Sequence, residues 1–216
     1  MSLSDKAYHA VRDEILRGQL RPGTPLSRRR LARQLGMSVL PVTDALRRLE
    51  GDGLVESRAR AGTRVRVPSE KDVRELYELR ELLEPAAAAL ATVRADAAER
   101  RAVQRLARLT DRPSGGFAPN RDFHHALCAP CGNGLVMRTL DSVWTHRAAE
   151  GLFAYQTLPP GAVERLAEEH GAIAGAFAEG DAARVRALVH DHVRAAGSDA
   201  LERLPGHQDN EAEEIS

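Results

Sequence analysis

The stretch Ser27–Asp52, SRRRLARQLGMSVLPVTDALRRLEGD, decides the fold of the first third of the chain. Its apolar residues have the spacing of two short helices, with Gly36 ending the first and Ser38 capping the second. Pro41 is compatible with the second helix, because the first residues of a helix have no intrahelical partner for their N–H groups. Two such helices joined by a tight turn predict a helix-turn-helix, a motif whose second helix lies in the DNA major groove.

The flanking segments extend this motif to a winged helix-turn-helix. Tyr8, Val11 and Ile15 predict a preceding helix over residues 4–16. Residues 54–57 and 63–67 are β-prone runs that predict a hairpin, and such a wing can reach phosphates or the minor groove. We predict a DNA-binding domain over residues 1–68. The residues that we expect to face DNA are Arg28, Arg29, Arg30, Ser38, Val39, Leu40, Thr43, Arg47, Arg48, Arg58, Arg60, Gly62 and Arg64.

The charges of the chain differ between its two parts. The whole sequence has 31 Lys and Arg against 31 Asp and Glu, yet residues 1–68 hold 14 basic against 7 acidic side chains. A basic head suits a polyanion, since each neutralised phosphate releases counterions, whereas the acidic remainder is repelled by DNA. The charge distribution therefore favours two domains with different tasks.

The remainder of the chain predicts helices without a convincing strand. Ser69 and Asp72 form a capping pattern that opens a long helix to about Arg94, with a kink expected at Pro85. Further helices are predicted over about 96–112, 119–129, 133–155, 160–179 and 181–204. The protein is thus predicted to be mainly α, with an antiparallel six-helix bundle over residues 69–204. Residues 205–216 are acidic and poor in apolar side chains, which predicts a disordered tail.

The sequence also bears on compartment and redox chemistry. No apolar run approaches the roughly 18 residues that span a bilayer, and the N-terminus lacks the apolar core of a signal peptide, so we expect a cytoplasmic protein. Cys128 and Cys131 form a CAPC motif that could be a redox pair or half of a zinc site. Because no strand precedes the motif and no second Cys pair exists, two ordinary reduced cysteines are the favoured interpretation.

Three histidines lie on helix faces that must point into the bundle: His124, His170 and His192. Asn120 shares the face of His124, one turn earlier. A single inward His is usually a satisfied core residue. Three on separate helices are harder to explain in that way, because unpaired buried polar groups are costly and one shared metal ion satisfies them all. The other histidines lie off these faces (His125, His190), outside the bundle (His9, His207) or at an undecided position (His146).

Several motifs resemble the GntR family of bacterial transcription regulators. GQLRPGTPL (Gly18–Leu26), LARQLGMS, PVTDALRRLE and DGLV are similar to its N-terminal domain. ELYELRELLEPAAAALA, NRDFHHAL, GNGLV and two histidines 22 residues apart are similar to the FadR-type effector domain, called FCD. Six helices instead of seven resemble the shorter, VanR-like branch. This chain has SVLPVTD at Ser38–Asp44, where the family usually has two arginines that read guanines, whereas Arg29 matches a DNA-contacting arginine of the family.

The resemblance implies a DNA-binding regulator, not an enzyme, that binds an inverted repeat in double-stranded operator DNA as a homodimer. It also implies that Asn120, His124, His170 and His192 hold a divalent metal ion such as zinc, nickel or manganese. A small carboxylate effector would bind this metal, with Arg80 as a second clamp. Arg80 has a plainer interpretation as the ion-pair partner of Glu84, one helical turn later. Asn120 stands where the family usually has Asp, and its neutral oxygen leaves the full metal charge to attract an anion.

Two other functions are weighed against this one. A metal-dependent hydrolase could use the same histidines, but no carboxylate is clearly placed as a general base and no GxSxG motif is present. The second alternative is an architectural DNA-binding protein with a vestigial helical body. The core of such a protein would bind no small molecule.

Overall fold

The computed structural model describes residues 1–58, 62–110, 117–146 and 161–204. Its first part is a winged helix-turn-helix, as predicted. The elements are α1 (Leu3–Leu16), β1 (Pro25–Leu26), α2 (Arg28–Gln34), α3 (Val39–Gly51), β2 (Val55–Arg58) and β3 (Gly62–Val65). The predicted hairpin of β2 and β3 is confirmed, with Val55 opposite Val65 and Arg58 opposite Gly62.

β1 was not predicted from the sequence. It is two residues long and pairs antiparallel with β3, so that β3 lies in the middle of a three-stranded sheet. The backbone N–H of Val65 donates to the carbonyl of Thr24 at 2.9 Å, and Gly23 donates to the carbonyl of Val65 at 2.9 Å. A strand of two residues carries no alternation, and its conformation depends on this partner.

Helix starts follow the predicted caps. Ser69 and Asp72 form the predicted capping box of α4, and Asp96 and Glu99 form one on α5. Ser38 is the N-cap residue of α3, as predicted, although its side chain makes no cap hydrogen bond. Its hydroxyl is exposed at the start of the helix-turn-helix recognition helix.

The second part of the chain is helical. Its described elements are α4 (Glu70–Arg94), α5 (Ala97–Ala107), α6 (Phe117–Cys128), a 3₁₀ turn (Ala129–Cys131), α7 (Gly134–His146), α8 (Ala162–Glu179) and α9 (Ala182–Glu202). α4 continues through Pro85, and α5 ends at Ala107, earlier than predicted. Residues 147–155 of the predicted fourth helix and the predicted tail 205–216 lie outside the described residues. The mainly α fold with a winged head is confirmed.

Two hydrophobic cores lie on either side of the predicted boundary at Pro68. One is built from α1, α2, α3 and the sheet, between Ala7 and Val65, and the other from the helices between Val73 and Leu204. The long helix α4 packs most extensively against α9. An ion pair of 2.6 Å between Arg66 and Asp72 joins the end of the wing to the first turn of α4. No helix in the described parts of the chain has the length and apolarity needed to cross a membrane.

Candidate metal centre and DNA-binding surface

Three buried histidines converge in the helical body. His124 comes from α6, His170 from α8 and His192 from α9, and all three side chains are buried. The Nε2 atoms of His170 and His192 are 3.2 Å apart, and those of His192 and His124 are 3.3 Å apart. Two nitrogen ligands of a tetrahedral zinc ion, each about 2.0 Å from it, lie about 3.3 Å apart. These two separations match the spacing of metal ligands, and the ligand nitrogens of all three histidines lie within 4.8 Å of one another.

An oxygen atom faces the other nitrogen of each ring. His170 Nδ1 is 2.9 Å from Thr110 Oγ1, and His192 Nδ1 is 2.6 Å from Glu169 Oε2. His124 Nδ1 is 2.8 Å from Glu84 Oε2, although this pair is not aligned as a hydrogen bond. Carboxylates only accept, so these contacts favour a proton on Nδ1 and a lone pair on Nε2.

The protonation states of the rings suit a cation at their centre. Burial lowers the pKa of His124 to about 4 and the pKa of His170 well below its ordinary range. Both rings are therefore neutral at pH 7, and their Nε2 atoms lie close to Nε2 of His192. A single N–H group among the three Nε2 atoms could satisfy one neighbouring nitrogen, whereas a metal ion satisfies all three at once. The donor set thus fits a divalent metal ion.

Arg80 and Glu84 form a buried ion pair beside this centre. Arg80 Nε donates to Glu84 Oε1 at 2.6 Å, and the indole N–H of Trp144 donates to the same oxygen at 3.3 Å. Burial by itself would raise the pKa of Glu84, but the positive charge of Arg80 holds that pKa well below its ordinary value. The structure thus shows the ion-pair interpretation of Arg80. Its Nε is bound to a carboxylate of its own chain, and the implied role as an effector clamp stays a prediction.

The sequence prediction found some of these residues and missed others. His124, His170 and His192 are brought together as predicted, and Asn120 lies half-buried on α6, one turn before His124. Thr110 and Glu169 were missed, because neither belongs to a motif and their role depends on the packing of distant elements. His125 and His190 lie off the centre as predicted, beside Asp141 at 3.1 Å and Asp191 at 3.2 Å. The side chain of His146 lies outside the described parts of the chain.

The two cysteines form no disulfide. Cys128 and Cys131 are free and buried, and burial raises the pKa of the Cys128 thiol well above its ordinary value. Buried thiols of this kind are poor nucleophiles and poor metal ligands. Their environment agrees with two ordinary reduced cysteines.

The predicted DNA-binding surface divides into exposed and engaged side chains. Arg28, Arg29 and Arg30 are exposed in the first turn of α2, and Arg28 also donates to the Thr63 hydroxyl in the wing at 3.4 Å. At the start of α3, Val39 is 43% exposed and Leu40 is 71% exposed. The hydroxyl of Thr43 donates to the carbonyl of Val39, so its methyl group is the part that remains for an outside partner.

Arg48, one of the predicted DNA contacts, is engaged within the head. Its guanidinium forms an ion pair of 2.7 Å with Asp5 and lies 4.3 Å from the centre of the Tyr8 ring. It therefore ties α3 to α1, although 48% of its side chain is exposed, and its contact with DNA stays a prediction. Arg47, its neighbour, has a side chain that is 76% exposed and lies only loosely beside Asp44, at 4.0 Å.

The wing carries less free positive charge than its arginines suggest. Arg64 is paired with Glu56 on the opposite strand, and Arg58 lies 3.6 Å from the same carboxylate. Gly62, the first described residue of β3, is exposed and has a positive φ of 79°, a conformation that glycine adopts without strain. Arg60 lies outside the described residues.

The fold and the site together define a class of protein: a winged helix-turn-helix head joined to a helical body with a buried polar centre. Residues 3–65 match the model of "Bacterial regulatory proteins, gntR family", and residues 75–195 match the FCD domain. The chain belongs to the GntR family of transcriptional regulators and carries an FCD domain. The matching families and relatives are regulators, not enzymes, as predicted.

Similar proteins span nearly the whole chain. The "Probable D-xylose utilization operon transcriptional repressor" of Paenarthrobacter nicotinovorans is 32% identical over 188 residues, which cover 84% of this chain and 81% of that protein. The crystal structure of a putative GntR regulator from Rhodococcus sp. RHA1 is 25% identical, with a TM-score of 0.77, covering 95% of this chain and all of that one. E. coli McbR/YncC has the same fold, with a TM-score of 0.73, 20% identity, and coverage of 95% of this chain and 100% of that chain.

Proposed function

We propose that this regulator binds a divalent metal ion with His124, His170 and His192, and that a small carboxylate bound at this metal changes its affinity for operator DNA. The convergence of three Nε2 atoms, each ring backed by an oxygen at Nδ1, carries the proposal. When bound, the metal supplies a Lewis-acidic centre with open positions for an anion. Asn120, one turn from His124, is the candidate fourth ligand.

The charge of the centre supports an anionic effector. Three neutral imidazoles and a neutral Asn oxygen leave the ion its full charge of +2, which favours a carboxylate over a neutral ligand. The negative charge of Glu84 is balanced by Arg80 at 2.6 Å and does not neutralise the ion. Arg80 is proposed as the second clamp, with its Nε already bound to Glu84. The metal is therefore proposed as the main anchor of the effector.

The test compares metal content and DNA binding. The purified protein should contain a divalent metal ion, and zinc, nickel or manganese at 100 times its Kd should add about 2.7 kcal/mol to the free energy of unfolding. Replacing both His170 and His192 by Ala should remove the metal and abolish any response of DNA affinity to a panel of small carboxylates. The control is His125→Ala, whose ring lies off the centre.

Two results would overturn this proposal. A double Ala variant that keeps its metal would mean that the ion binds elsewhere. A wild-type protein that binds none of the three metals and none of the carboxylates would favour a DNA-binding protein with a vestigial body.

At the head, we propose that α3 recognises DNA mainly through apolar contacts. Val39, Leu40 and Thr43 present methyl groups, which suit the C5-methyl group of thymine, and they lack the bidentate contacts of arginine to guanine. Ser38, Arg28, Arg29, Arg30 and Arg47 are the proposed phosphate contacts, with Arg58, Arg60, Gly62 and Arg64 in the wing. The domain boundary at Pro68 belongs to this proposal, as does a location in the cytoplasm, where the operator DNA is.

We also propose that the body forms a homodimer through α4. Leu82 and Val93 are each 73% exposed, and Leu90 is 44% exposed. Their spacing of 8 and 11 residues places them on one side of the helix. The proposed occupant of this apolar stripe is a second copy, because two-fold symmetry matches two heads to an inverted repeat.

The dimer is tested by charge insertion. Leu82→Glu should convert the dimer to a monomer in light scattering and lower its affinity for the inverted repeat, since one head offers only half of the contacts. Leu135→Glu is the comparison variant, because Leu135 is 70% exposed on a different helix, α7. A Leu82→Glu variant that stays dimeric would place the interface elsewhere.

A further inference from the structure

The three histidines of the centre are held by three different elements. Glu84 on α4 faces His124, Thr110 in the turn after α5 faces His170, and Glu169 on α8 faces His192 across to α9. The backing residues differ in environment: Glu84 and Thr110 are buried, whereas the side chain of Glu169 is 31% exposed. Two of the three backing residues are therefore shielded from solvent, and the third is partly exposed.

Thr110 fixes the tautomer of His170. The Thr110 hydroxyl has one proton, and it donates that proton to the carbonyl of Ala107 at 2.6 Å. Its contact of 2.9 Å with His170 Nδ1 can then only be one in which Nδ1 donates. The proton of the neutral His170 ring is thereby placed on Nδ1, and the Nε2 lone pair is directed to the common centre.

Glu169 and Glu84 act in the same direction on the other two rings. Glu169 Oε2 accepts from His192 Nδ1 at 2.6 Å, and Arg165 lies 3.8 Å from its other oxygen, one helical turn earlier. Glu84 Oε1 accepts from Arg80 Nε and from the Trp144 indole, and its Oε2 accepts from Arg80 Nη2 at 3.5 Å and lies 2.8 Å from His124 Nδ1. Glu84 is thus held by donors, whereas Glu169 lies beside Arg165 in a looser ion pair, and each carboxylate presents an oxygen to the Nδ1 atom of the ring that it faces.

We infer that Thr110, Glu169 and Glu84 are positioning residues for the metal, which orient the three imidazoles with Nε2 toward it before it binds. This inference rests on the proposed function, because it requires a metal at the three histidines. It extends that function to residues that contact neither the metal nor the effector. Removing such partners of ligating histidines typically weakens metal binding by 10-fold to 100-fold.

The test measures the affinity for zinc of the full-length protein, by competition with a chromophoric chelator. Thr110→Val removes the hydroxyl with little change of shape, and Glu169→Ala removes the carboxylate at a half-exposed position. Each should weaken zinc binding by about 10-fold to 100-fold. Thr110→Ser, which keeps the hydroxyl, should restore the affinity, and Glu168→Ala is the control because Glu168 is exposed on the same helix.

Glu84 needs a paired variant. Glu84→Gln alone leaves the buried Arg80 charge uncompensated and can prevent folding. Glu84→Gln with Arg80→Gln removes both charges, and it should also weaken zinc binding. Trp144 is the single tryptophan of the chain and contacts Glu84, so its fluorescence reports independently on the fold around the centre.

The outcomes distinguish a failure of the positioning role from a failure of the proposed metal site. If the wild type binds zinc and the Thr110→Val and Glu169→Ala variants bind it as tightly as Glu168→Ala, the positioning role is wrong and the proposed metal site stands. If the wild type binds no zinc, nickel or manganese, the metal site itself is wrong, and the inference falls with it. A loss of affinity in Thr110→Ser equal to that in Thr110→Val would also contradict the role of the hydroxyl.

Discussion

At the scale of single residues, adjacent side chains of α3 lie in different surroundings. The Arg47 side chain is 76% exposed on the surface proposed to meet DNA, whereas Arg48 is bound to Asp5 and lies over Tyr8. A short hydrogen bond from Arg48 holds the pKa of Asp5 at about 2. Arg47 and Arg48 are neighbours in the sequence. Because an α-helix turns by about 100° per residue, their side chains leave the helix in different directions.

The two arginines should respond differently to replacement by Ala. Arg48→Ala should lower the melting temperature by a few degrees and leave DNA affinity nearly unchanged, because it removes a contact within the head. Arg47→Ala should leave the melting temperature unchanged, weaken DNA binding, and reduce the slope of log affinity against log salt by about 1. Thermal unfolding and binding titrations at several salt concentrations check this pair. A large loss of DNA affinity in Arg48→Ala would contradict this prediction and show that Arg48 also contributes to DNA binding.

At the scale of elements, the contact of α4 with α9 depends on a residue without a side chain. A Cβ atom at Gly197 of α9 would lie 2.9 Å from Cγ and 3.0 Å from Cβ of Tyr77 in α4. These Tyr77 atoms are near the backbone and cannot move away easily. Gly197 is therefore required by close packing and not by an unusual backbone conformation.

Gly197→Ala should destabilise the protein by about 1 to 3 kcal/mol, the usual cost of an overpacked core. This loss of stability is opposite to the effect expected from helix propensity, because Ala is favoured over Gly in a helix by about 1 kcal/mol. Gly171→Ala on α8 is the matched control, since nothing lies within 4 Å of its Cβ position. Chemical denaturation of both variants checks the prediction, and a stabilised Gly197→Ala would contradict the packing described here.

At the scale of the whole molecule, the buried histidines make stability depend on pH. The pKa values of His124 and His170 lie below the ordinary value of about 6.5 that both have in an unfolded chain. Between about pH 6.5 and 4 the unfolded chain therefore binds more protons than the folded one. The stability contributed by these neutral rings is complete above pH 6.5 and is lost as the pH falls toward 4.

The metal-free protein should thus lose free energy of unfolding steadily between pH 7 and pH 4. Urea denaturation at several pH values, after treatment with a chelator, measures this slope. The variant with His124→Gln and His170→Gln should have a shallower slope, whereas His125→Gln, at an exposed position, should keep it. Equal slopes in all three proteins would mean that the two buried rings are not the source.

The sequence by itself determined the elements and the faces of the helices. The 3.6-residue period identified α3 and α4 and placed His124, His170 and His192 on inward faces, because periodicity records which side of a helix is buried. The caps at Ser69 and Asp96 gave correct helix starts, since a capping box is a local interaction. The three histidines of the candidate centre were therefore predictable without a structure.

Only the tertiary structure decided which atoms meet. The partners Thr110 and Glu169, the engagement of Arg80 by Glu84 and the contact of Gly197 with Tyr77 join residues from different elements or depend on side-chain rotamers. The short strand β1 exists because β3 is beside it, and the different roles of Arg47 and Arg48 depend on where α1 packs. Such contacts depend on how segments that are distant in the sequence pack together. The local pattern of polar and apolar residues does not specify that packing.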